Sequence, residues 1–112
     1  MAAVVFGLAV ATAVPQAASA ADHGYVLYNK GDFGVNVYFK YNGTQEAYNH
    51  PKKVEVTQPI HAPAGAKVEI WVANVNPGRL LLSFTYSGDD PNFVCSGSYW
   101  GSGQNRAACG KW

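Results

Sequence analysis

The spacings that carry common hydrolytic and metal chemistry are missing from this chain. It has no G-x-S-x-G nucleophile elbow, no H-x₃₋₅-H pair, and two cysteines instead of a ligand cluster. Its three histidines are scattered. His23 lies near the expected start of the mature protein, and His50 and His61 sit beside prolines in turn-like segments, where surface exposure is the ordinary outcome. Asp89-Asp90-Pro91-Asn92 offers oxygens, but not at the spacing of a calcium loop; it reads as a turn stabilised by Asp side chains. No metal and no cofactor are expected.

Charge is also scarce. Eight Lys and Arg nearly cancel seven Asp and Glu, and no basic run is longer than Lys52-Lys53. A phosphate-tracking surface needs clustered Lys and Arg, so a nucleic-acid partner is not expected. No apolar run approaches the roughly 20 residues that cross a bilayer, so a membrane partner is not expected either. Helical periodicity is absent over any ten-residue stretch beyond residue 20.

What the chain does have is a leader, a pair of cysteines and a regular alternation of apolar residues. Val4 to Ala11 is a short apolar core, Pro15 interrupts it, and Ala18-Ser19-Ala20 has the small residues of a cleavage site. Residues 1–20 are therefore expected to be a signal peptide, although no Lys or Arg precedes the apolar core. Residues 21–112 are expected to form a single secreted, extracellular β-domain. In an exported chain Cys95 and Cys109 should pair with each other. Closing a loop of about 15 residues contributes roughly 3 kcal/mol in the chain-entropy account.

The alternation predicts strands. Tyr25–Tyr28 is a first candidate. Val35, Val37, Phe39 and Tyr41 share one face of a second, with Asn36, Tyr38 and Lys40 on the other. Asn42-Gly43 is a hairpin signal, and the weakly apolar Thr44–Tyr48 should return as an edge strand. Residues 52–56 resume extended chain, and Pro59 and Pro63 fix an extended connection. In Lys67–Ala73, Val68, Ile70 and Val72 face one way; Lys67, Glu69 and Trp71 face the other. Leu80, Leu82, Phe84 and Tyr86 are expected to form the inner face of a further strand, and Phe93-Val94-Cys95 leads into the bridged loop. About seven short strands with frequent turns predict an all-β domain, a small antiparallel β-sandwich or barrel with one C-terminal disulfide.

Two aromatic groups stand out as candidate binding residues. The loop between the cysteines is polar and glycine-rich and carries Tyr99, Trp100 and Arg106. Tyr, Trp and Arg dominate binding hot spots, and a bridge reduces the entropy lost when a loop is immobilised. The competing reading folds Trp100 back as a cap on the core. Tyr38 and Trp71 fall on the polar faces of their strands; if those strands are neighbours, they form a flat surface able to stack on sugar rings or on a partner. The competing reading covers this face with a second sheet or a loop.

Size, leader and strand pattern are similar in style to small secreted actinobacterial β-proteins, including α-amylase inhibitors. Those inhibitors present a contiguous Trp-Arg-Tyr segment, whereas here Trp100 and Arg106 are six apart, so the resemblance implies no site residue. The expected function is a secreted, non-catalytic module that engages an extracellular protein or polysaccharide through the tethered loop. Two alternatives stand beside it: a small secreted hydrolase or nuclease using Glu69, Arg79 and a histidine, and a secreted inhibitor of an extracellular hydrolase. The oligomeric state is not set by the sequence.

Overall fold

A computed structural model describes residues 23–100 and 106–112. The leader expected over residues 1–20 and the centre of the tethered loop lie outside the described residues. Eight strands occur among the described residues: β1 (Gly24–Asn29), β2 (Val35–Tyr41), β3 (Thr44–His50), β4 (Val54–Pro59), β5 (Lys67–Val72), β6 (Leu80–Thr85), β7 (Asn92–Ser96) and β8 (Ala108–Lys111). No α-helix occurs among the described residues. The strands form two four-stranded sheets, β4-β1-β7-β8 and β3-β2-β5-β6. All pairings are antiparallel except β1 with β7, which run parallel. The expected sandwich is thus present, with one more strand than expected and one parallel pair.

Alternation builds the core. Tyr25 and Leu27 of β1 and Phe93 and Cys95 of β7 point inward from one sheet; Val35, Val37, Phe39, Val68, Ile70 and Val72 point inward from the other. Tyr25 stacks on Phe39 across the sandwich (ring centroids 5.8 Å apart) and also packs against Phe93 at 5.4 Å. Asn29 is buried among them with its amide satisfied. It donates to the carbonyls of Phe33 and Pro51 and accepts from the Gly31 N–H. A buried amide costs stability only when its partners are missing.

The Asn42-Gly43 hairpin forms as expected, both residues having positive φ, 48° and 74°. β6 departs from expectation. Leu80 is exposed and Leu81 packs on the core, because the β5–β6 register slips between Ile70 and Trp71 and the extra residue reverses the alternation. β8, four residues long, has no counterpart among the strands the alternation predicts. It is held to β7 by the Cys95–Cys109 disulfide, whose cysteines lie directly opposite each other in the ladder. The connections at residues 30–34, 51–53 and 73–79, and the arms of the bridged loop at 97–100 and 106–107, all leave the sandwich at one end.

Candidate functional site

β2 and β5 are neighbours, so Tyr38 and Trp71 share the outer face of β3-β2-β5-β6, turned away from the other sheet. The register defines three rows of side chains. Gln45, Lys40, Lys67 and Thr85 form the first; Ala47, Tyr38, Glu69 and Ser83 the second; Asn49, Asn36, Trp71 and Leu80 the third. Glu69 is therefore central, and Tyr38 and Trp71 are diagonal across it. The face forms a shallow groove of about 340 Å³ that also takes in Val75 and Gly78.

Glu69 organises this groove. Although it points outward, it is only 8% exposed, where the alternation alone predicts a solvent-facing side chain. Lys40 Nζ (2.9 Å) and Trp71 Nε1 (3.0 Å) both donate to its Oε1, and Lys67 Nζ lies 3.7 Å from Oε2. Those hydrogen bonds, from Lys40 first, hold its carboxyl below the ordinary value. Lys40 also sits 5.8 Å from the centre of the Tyr38 ring. Behind Trp71, a Cβ on Gly78 would come within 3.1 Å of the indole, a tight contact, so glycine lets the ring lie close against this backbone. Asn49 donates to the Asn36 side-chain carbonyl at 2.7 Å. The result is two aromatic rings and several amides on paired strands, with Trp71 and the Asn36–Asn49 pair held by hydrogen bonds.

The second candidate group lies at the end where the loops gather. Trp100 is 49% exposed, and Tyr99 meets it edge-on at 5.1 Å while packing against the margin of the core. Arg106 is exposed. Asp32 pins the start of this loop, accepting from the Ser98 hydroxyl at 2.6 Å and the Tyr99 N–H at 3.1 Å. The Ser98 hydrogen bond, opposed by partial desolvation and helped by the Tyr99 N–H, lowers the Asp32 pKa. Gly97 has φ 92°, and a Cβ there would strike the Arg106 carbonyl, so the two arms of the loop touch at this point.

The trio of Glu69, Arg79 and a histidine is not brought together. His50 is 5% exposed instead of lying at the surface, because it is the last inward residue of β3. Its Nε2 is 2.6 Å from the Tyr25 hydroxyl, on the opposite face of the sheet from Glu69. His61 is exposed beside Glu46, and His23 lies 3.4 Å from Asp90, both side chains about half exposed. Arg79 precedes β6, its carbonyl accepting from the Val72 N–H. No group of three His, Cys, Asp or Glu suited to a metal occurs among the described residues.

Two aromatic residues were missed by the sequence reading. Tyr28 and Trp112 lie on the outer face of the other sheet, with ring centroids 4.9 Å apart. The alternation of Ala108, Gly110 and Trp112 about the second cysteine points to a last short strand, but not to its place beside Tyr28. The chain is a disulfide-bridged all-β sandwich with aromatic residues on both outer faces. No protein-family model matches it, and no curated protein or solved structure is significantly similar to it.

Proposed function

We propose that this chain is an exported, non-catalytic binding module that holds a neutral polysaccharide in the groove between Tyr38 and Trp71. The observation that carries the reading is the Glu69 cluster, which fixes the Trp71 indole and the Lys40 ammonium before any ligand arrives. Preorganised side chains lose little entropy on binding. The C–H faces of a pyranose ring are weakly positive and apolar, and match the negative face of an aromatic ring. Asn36, Asn49 and Gln45 supply amides, which donate and accept as sugar hydroxyls require. Glycoside hydrolysis ordinarily uses two carboxylates flanking the bond, and among the described residues Glu69 alone of the Asp and Glu side chains lines the groove. Export is supported by the Ala-rich leader and by the disulfide, a bond that persists in oxidising compartments.

Electrophoresis through native gels cast with xylan, β-glucan or soluble starch tests the reading. Retardation by at least one is expected, and Trp71→Ala should weaken it at least about tenfold. Failure of every neutral polysaccharide to retard the protein overturns the proposal, as does an unaffected Trp71→Ala variant. A second reading, a protein partner engaged by Tyr99 and Trp100, is favoured by the exposure of Trp100 above a backbone pinned by Asp32. Trp100→Ala separates the two readings: it should leave polysaccharide retardation unchanged.

A further inference from the structure

We propose a second carbohydrate site, selective for polyuronates, on the outer face of β4-β1-β7-β8, with Tyr28 and Trp112 as its floor and Lys30 and Lys53 as its anion-binding rim. This site is separate from the groove around Glu69 and stands or falls independently of it.

The floor follows from register. Tyr28 lies opposite Glu55 on one side and Val94 on the other, and Val94 lies opposite Gly110. Trp112, 63% exposed, donates its backbone N–H to the Asn92 carbonyl at 2.9 Å, which fixes it to the ladder. Its ring reaches back across β7 to Tyr28. A Cβ built on Gly110 meets nothing within 4 Å, so the surface beside Val94 is open. The two rings, Val94 and Lys30 enclose a hollow of about 420 Å³.

The charge follows from the neighbouring loops. A second hollow, of about 370 Å³, joins the first at Tyr28 and Lys30 and is lined by Lys53 and Glu55. The Lys30 N–H donates to the Cys95 carbonyl at 2.7 Å, tying this residue to the rigid end of β7. Lys53 Nζ donates to the Lys30 carbonyl at 2.9 Å, so two ammonium-bearing residues are held side by side. Glu55, opposite Tyr28, also lines this second hollow, where the two lysines outnumber it. An aromatic floor beside paired lysines complements a pyranose ring that carries a carboxylate. In a polyuronate that unit repeats along the chain. A neutral glycan would leave the lysines unused, and an isolated anion would leave the rings bare.

Electrophoresis through gels containing polygalacturonate, at low and at high salt, tests this. The native protein should be retarded at low salt and released at high salt, as screened charge contacts are. Trp112→Ala should weaken retardation at least about tenfold, and Lys30→Gln/Lys53→Asn should weaken it and flatten its salt dependence. Asn at position 53 tolerates the positive φ of 58° found there, so this variant keeps its backbone. Circular dichroism confirms that each variant is folded. Absence of retardation by polygalacturonate, or retardation unchanged in both variants, overturns the proposal. Trp71→Ala should leave it intact; if that substitution alone removes polygalacturonate binding, the acidic glycan lies in the other groove and the second site is refuted.

Discussion

The two faces of the β3-β2-β5-β6 sheet each carry a carboxylate ringed by aromatic side chains, and they use it differently. On the outer face Glu69 accepts from an indole N–H and a lysine ammonium, with a second lysine close by. On the inner face, at the β3 edge, Glu46 accepts from the hydroxyls of Tyr41 and Tyr48 and from the backbone N–H of His61. A shift of one residue along a strand separates these environments, since strand side chains alternate in direction. The lysines around Glu69 are 43% and 62% exposed, so their ammonium groups face solvent while the carboxylate holds them in place. The phenols around Glu46 are half-buried, and the carboxylate they hold ties an edge strand to the β4–β5 connection at residue 61. The inner cluster is built for stability, and the function proposed above assigns the outer one to recognition.

The strongest test of that division is Glu46→Ala. It leaves two half-buried phenol hydroxyls and one N–H without their acceptor, and unsatisfied groups of this kind cost about 1–3 kcal/mol. A stability loss of about 2 kcal/mol in urea unfolding is expected, with affinity for neutral polysaccharide unchanged. If the variant is as stable as the native protein, or loses ligand, the inner cluster does not have the role assigned to it.

Acid should expose the same division in two stages. Burial holds the His50 pKa below its ordinary 6.5, so the unfolded chain binds a proton that the folded chain resists. Stability from this source is therefore full above about 6.5 and falls as pH drops below it, until the folded value is passed. The carboxyl of Glu46 is pushed up by burial, but the Tyr41 and Tyr48 hydroxyls and the His61 N–H outweigh this and bring it below 4.5. Its contribution is present above 4.5 and is lost as pH falls through the lowered value. Urea midpoints measured against pH should show the first decline in the native protein and not in His50→Gln. A His50→Gln profile that still declines near neutrality contradicts the assignment.

Which of these features could be read from sequence follows from what alternation encodes. β2 and β5 each alternate without interruption, so their faces, and with them Tyr38 and Trp71, were legible. The hairpin at Asn42-Gly43 was legible because its backbone demands positive φ. In β6 three leucines in succession hide the slip that exposes Leu80. In β3 the inward residues Glu46, Tyr48 and His50 are polar or amphipathic, so an apolar pattern cannot reveal that His50 is buried. The parallel pairing of β1 with β7 joins residues 66 apart in sequence, as in Val26 with Asn92, and no local signal specifies such a partner. The Tyr28–Trp112 surface was missed for the same reason, since it exists only once that pairing is made.

The smallest stability effect should come from Glu69→Gln, and it is the change that bears most directly on the outer face. The amide keeps an oxygen for the Trp71 N–H but loses its attraction for Lys40 and Lys67. Both lysines reach solvent, which screens their attraction to about 1 kcal/mol or less, so the unfolding midpoint should move little. The groove should respond more than the fold does. With Lys40 released and Trp71 held by one neutral hydrogen bond, ordering these groups becomes part of the cost of binding. Affinity for the neutral polysaccharide should fall roughly three- to tenfold, up to about 1.4 kcal/mol, while retardation by polygalacturonate stays the same. The same variant addresses the hydrolase alternative. If the native protein releases reducing ends from the polysaccharide it binds and Glu69→Gln abolishes that release, Glu69 is catalytic and the groove is an active site. Unchanged affinity in Glu69→Gln would mean that the carboxylate does not organise the rings, and the contrast between the two faces would reduce to one of burial alone.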